Sequence, residues 1–182
     1  TLLYNEEKQL GLFDAKNANV KKKFIFNSGS YNVENGEVNI VAEFVNSKEN
    51  NLGIPMPAGK FRIFKNDGKS VELVGEDKIE HTPKDQTVKL NIGKAFDLKA
   101  DATVLNQDQI SRHESETEME INLKNRKNED VEIEVVSYLG EGWEMLKSSE
   151  KYEKKDGMSV IFTIKVPKNS EKKFQFTFRN RW

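Results

Sequence analysis

LGIPMPAGKFRIFK at 52–65 and GEDKIEHTPKDQTVKLNIGKAFD at 75–97 decide the fold class of this chain. Both set short apolar alternations between residues of restricted or unusual backbone geometry. Pro55, Pro57 and Pro83 fix φ and remove a donor, while glycines such as Gly68 and Gly93 reach conformations closed to other residues. Punctuation of this kind builds turns and strand ends, so the reading is β structure joined by tight reversals.

The pattern extends in both directions. Met119, Ile121 and Leu123 alternate with Glu118, Glu120 and Asn122, and Val131, Ile133 and Val135 alternate with Glu132 and Glu134. Val160, Phe162, Ile164 and Val166 repeat the rule, as do Phe174, Phe176 and Phe178. Each set has one wet and one dry face, as antiparallel sheets with one solvated side require. No stripe of helical period competes. Asp156–Gly157 and Asp67–Gly68 read as hairpin turns, a further reversal is expected at Asn35–Gly36, and Pro167 to Ser170 separates the last two strands.

Candidate strands at 9–14, 21–27, 37–46, 60–65, 70–80, 87–92 and 96–103 suffice for one small sandwich, and about five more from residue 115 suffice for a second. The expected fold is therefore all-β: two tandem immunoglobulin-like antiparallel β-sandwich modules, 1–108 and 109–182. Asn106, Gln107, Asp108 and Gln109 interrupt the apolar pattern near the boundary, unless one long strand runs straight through.

Composition narrows the function classes. The net charge of −1 lacks the basic excess of a nucleic-acid binder, and no apolar run approaches the roughly 20 residues of a membrane-spanning helix. The absence of cysteine rules out disulfides and thiolate chemistry. Residues 114–150 hold 11 acids and 4 bases, whereas 151–182 hold 9 bases and 3 acids. Opposite charge on neighbouring strands selects register; the alternative is a bipolar surface that meets a partner.

The motifs for catalysis are thin. His81 lies among Glu76, Asp77, Glu80 and Asp85, but a zinc centre needs three or four protein ligands and the only other histidine, His113, is in another segment. His81 and Thr82 are better read as capping a turn that Pro83 stiffens. No nucleophile elbow, phosphate loop or dinucleotide turn occurs, so no catalytic residue, metal or cofactor is assigned. Trp143, after Gly140–Glu141–Gly142, and Tyr138 just before it are the ligand-binding candidates, for a glycan or a peptide. The competing reading has Trp143 plugging one end of a sandwich, and Trp182 continues the Phe174–Phe178 parity as a core anchor.

LGIPMPAGKFRIFK, GEDKIEHTPKDQTVKLNIGKAFDL, the GEGWE turn at 140–144 and the closing RNRW at 179–182 together resemble the bacterial domain of unknown function 4139 family, found at the C-terminal end of mucoidy-inhibitor-type proteins. The resemblance covers about residues 20–182 and implies tandem β-sandwich modules without an assigned activity, in proteins often exported. It transfers no catalytic residue. Asn180 stands where an aromatic or aliphatic residue is commoner in the family. The ending implies a natural C-terminus, and the start at Thr1 an N-terminal portion not included. The functional expectation is a non-catalytic interaction or structural module of a bacterial envelope or secreted protein, with protein or glycan partners. The alternatives are a carbohydrate- or peptide-binding module and an accessory part of a hydrolase.

Overall fold

In the computed structural model, residues 13–182 are described, and they form eleven strands and a single 3₁₀ turn. The strands are β1 Lys21–Ser28, β2 Val33–Val45, β3 Gly59–Asn66, β4 Val71–Ile79, β5 Thr87–Ser111, β6 Glu114–Asn125, β7 Val131–Tyr138, β8 Glu144–Ser148, β9 Tyr152–Lys154, β10 Ser159–Val166 and β11 Ser170–Arg181. The all-β expectation holds. Of the candidate strand at 9–14, residues 9–12 lie outside the described residues, and residues 13–14 are not in a strand.

Nine strands join in the order β8-β11-β6-β5-β2-β1-β7-β10-β9, and β3 and β4 form a separate two-stranded sheet. The large sheet folds back on itself. Phe162 of β10 lies 4.9 Å and 5.0 Å, between ring centroids, from Phe174 and Phe176 of β11, although five strands separate β10 from β11 along the ladder. Strict alternation drives this closure. In β6 every second residue from Ser115 to Asn125 is buried, and Phe162, Phe176 and Phe178 are almost fully enclosed. Each ring buries about 150–250 Å². The two edge strands, β8 and β9, are consecutive in the chain, joined by residues 149–151, and only five and three residues long, which keeps each edge strand short.

The sheet is mixed, not purely antiparallel: β1 runs parallel to β7, sealed by a buried Ser28–Ser137 hydroxyl contact of 2.8 Å. β5 passes through residues 104–111 without a break. The larger core draws Phe26, Val38, Leu98 and Ala100 from the first part of the chain and Met119, Ile133, Phe162 and Phe176 from the second. A smaller core gathers Ala42, Phe44, Met56, Ile79, Val88 and Leu90. β2 and β5 carry both, and the ladder between them shifts register at Ile40/Val41, where one core gives way to the other.

Two local expectations are corrected. Asn35–Gly36 does not reverse the chain; it sits inside β2 at a register shift, with Asn35 at φ 48°. Gly36 is needed there because an added Cβ would lie 2.6 Å from the Phe26 ring and 2.9 Å from the Ala100 carbonyl oxygen. Trp182 is no core anchor either. It is 63% exposed, one residue beyond the end of β11 at Arg181. The turns at Asp67–Gly68 and Asp156–Gly157 lie where expected, and the former is built by the Asp67 carboxylate accepting the backbone N–H groups of Lys69 and Ser70.

Candidate functional site

The residues around His81 hold the fold locally. His81 Nδ1 accepts the Ala58 N–H at 3.2 Å, and Thr82 exchanges two 2.9 Å backbone hydrogen bonds with Met56. Glu76 receives Arg62 at 2.9 Å and Lys60 at 3.1 Å, and these cations hold its carboxyl below the usual range. Asp77 accepts the Asn91 N–H at 2.7 Å and so ties β4 to β5. Asp85 adopts φ 64° and donates its N–H to the Asn46 carbonyl. The acids thus point to different tasks, and among the described residues no group of three or more His, Asp or Glu converges as metal ligands would.

Trp143 and Tyr138 have different neighbours. Trp143 is half-buried against the larger core, meets Tyr152 edge-on at 6.3 Å, and carries the Lys154 ammonium 4.9 Å above its ring. It thereby joins the chain entering β8 to β9, across the two sheet edges. Tyr138 is half-exposed, and its hydroxyl donates to Met158 Sδ at 3.3 Å.

Sequence reading missed two buried asparagines that organise the loops. Asn46, after β2, donates to the Ile54 and Pro83 carbonyls and accepts the Gly53 N–H. Asn125, ending β6, reaches the carbonyls of Glu129, Val166 and Pro167 and accepts the Lys127 N–H. Both are fully buried. A polar residue closing an apolar alternation just before a turn was the available signal.

The outward face of the β3–β4 hairpin was missed as well. Phe64 and Leu73 oppose each other across the ladder, both 55% exposed, and Val71 lies two residues along from Leu73 at 64%. Val74, the extra residue where the register shifts, is also exposed. The charged trio Lys60, Arg62 and Glu76 borders this patch on the same face. On the opposite face Phe61 and Ile63 pack on the smaller core, and Gly75 passes so close to β5 that an added Cβ would stand 2.5 Å from the Ile92 carbonyl oxygen. The hairpin is therefore clamped at its base and carries an apolar patch on its free face.

The segregated charges pair across strands. Arg181 meets Glu114 at 3.1 Å, Arg179 contacts Glu116, and Lys173 meets Glu120 at 2.9 Å. On the other layer Lys23 bridges Glu43 at 3.1 Å and Glu134 at 3.0 Å. Burial pushes the Glu43 carboxyl up, but Lys23 and Lys89 outweigh it and hold it below its ordinary value. Among the described residues no helix is long and apolar enough to cross a membrane. No family model and no curated protein matches the chain.

Proposed function

We propose that this chain is a non-catalytic interaction module, a β-sandwich that presents the β3–β4 hairpin to a protein partner. The observation that carries the proposal is the apolar patch of Phe64, Leu73 and Val71, with exposed Val74 at the adjoining bulge, on a hairpin whose base is fixed to the smaller core. Isolated exposed apolar residues need no explanation, but a contiguous patch rimmed by charge is the signature of a contact surface. The bond partners of Glu76, Asp77 and His81 support the same reading, because each group is committed to holding the hairpin and its neighbouring turn in place. The resemblance to the domain of unknown function 4139 family supports reading the module as part of a bacterial envelope or secreted protein.

The test uses the whole protein in its native cells. A Phe64→Ser/Leu73→Ser double variant, exposed at both positions, is expected to keep the folded β-sheet spectrum and to shift the protein on native gels from a larger complex to the free species. A complex of unchanged size would overturn the proposal.

A further inference from the structure

We infer that the loop end of the sandwich beside Phe96 is a second binding site, for a neutral oligosaccharide. It is separate from the hairpin patch and does not rest on it. Phe96 is 93% exposed, the barest aromatic among the described residues. Exposure alone would mean little. What distinguishes this ring is the backbone that presents it. Glu37 pairs with Lys99 and Asn39 with Lys94, so the four residues from Ala95 to Leu98 stand opposite Val38 alone. Ala95 and Leu98 turn into the larger core, at 5% and 0% exposure, and force Phe96 and Asp97 outward between them. Extra residues of this kind re-aim side chains and recur beside functional sites.

Asp97, the residue after Phe96, is one wall of an open polar cleft of about 420 Å³ shared with Arg126, Lys127, Asn128 and Glu129. Its walls are fixed. The Asp97 carbonyl accepts the Arg126 N–H at 2.8 Å, Asn169 donates its N–H to the Lys127 carbonyl at 3.0 Å, and buried Asn125 pins the carbonyls of Glu129, Val166 and Pro167. Both cations of the cleft are already paired, Lys127 with Asp97 at 3.5 Å and Arg126 with Glu171 at 2.5 Å, so the site carries no uncompensated positive charge. An exposed aromatic ring one residue from a cleft of carboxylate and amide groups offers the two kinds of surface that a sugar takes. The ring covers its C–H face, and the planar polar groups exchange hydrogen bonds with its hydroxyls. The charge balance favours a neutral sugar over an anionic chain such as a nucleic acid.

The test titrates the isotope-labelled full chain with cellohexaose, chitohexaose and mannohexaose, followed by amide NMR and calorimetry. The expected result is that at least one of them shifts amides confined to 94–99 and 126–130. Phe96→Ala should then weaken that binding about tenfold, the effect of losing roughly 1.4 kcal/mol of ring contact, while Phe96→Trp retains it. Glu129→Gln should weaken it with the fold intact. The proposal is overturned if none of the three shifts these amides, or if Phe96→Ala binds as the unaltered chain does. A discrete protein adduct from a photo-reactive residue at position 96, with no sugar response, would replace the glycan by a protein partner.

Discussion

The larger and smaller cores share β2 and β5 yet are closed in different ways. The larger core is enclosed by two layers of one folded sheet, with Phe162 wedged between Phe174 and Phe176 and the sheet edges brought together at Trp143 and Tyr152. Among the described residues the smaller core is covered by the two-stranded sheet with Leu52 and Met56 of the preceding loop, and the outer face of that cap carries an apolar patch. Two-stranded ribbons are marginal unless they pack against something. The hairpin meets this requirement with Phe61, Ile63 and Ile79 on its inner face, leaving Phe64, Leu73 and Val71 free of structural duty. The difference separates a part of the molecule that stores stability from a part that displays surface.

The sharpest way to break this contrast is to cut into each region. Phe162→Ala should destabilise the protein by about 3–5 kcal/mol in chemical denaturation, because a closed core cannot collapse around the void. Asn125→Ala should come next, at about 3 kcal/mol, since it strands several buried backbone groups at once, and Asn46→Ala should lower stability in the same way on the other core. Phe64→Ser and Leu73→Ser should each stay within about 0.5 kcal/mol, as exposed positions do. A loss comparable to that of Phe162→Ala would mean that the hairpin face is structural.

The Lys23 bridge gives a pH-dependent contrast. Glu43 has a folded value below its ordinary 4.5, so its contribution is fully present above that value and is lost as pH falls through the lower folded one. Burial pulls Lys23 down, but Glu134 and Glu43 raise it overall, so its contribution holds below 10.5 and is lost only as pH rises beyond it. Denaturation midpoints should therefore fall in acid. Lys23→Met should flatten that part of the acid dependence, whereas Lys94→Met, whose partner Glu37 lies at the surface, should leave the profile nearly unchanged.

Much of the fold is written in local residues. The period-two runs at Val160–Val166 and Phe174–Phe178 mark β10 and β11 because each face of those strands meets one environment throughout. Asp67–Gly68 and Asp156–Gly157 mark hairpins because their turn chemistry lies within four residues. Nonlocal features left no such mark. The parallel seam between β1 and β7 joins segments more than 100 residues apart, through alternations that suit either direction. β5 changes its packing partners partway along, and the four-residue excursion at 95–98 splits its alternation, so it reads as two strands. Asn35–Gly36 has the composition of a turn, but pairing with β5, Gly36 opposite Ala100, keeps it in the sheet. Of the surfaces, His81 drew notice by its chemistry, whereas Phe64, Leu73 and Phe96 look like core residues until the pairing shows which face they occupy.

The most direct test of the division between a storing core and a displaying hairpin is site-specific photo-crosslinking in native cells, with the reactive residue placed at Leu73 or at Lys165 on the exposed face of β10. A discrete protein adduct from position 73 and none from position 165 is the predicted result. No adduct from position 73, or equal adducts from both, would contradict it.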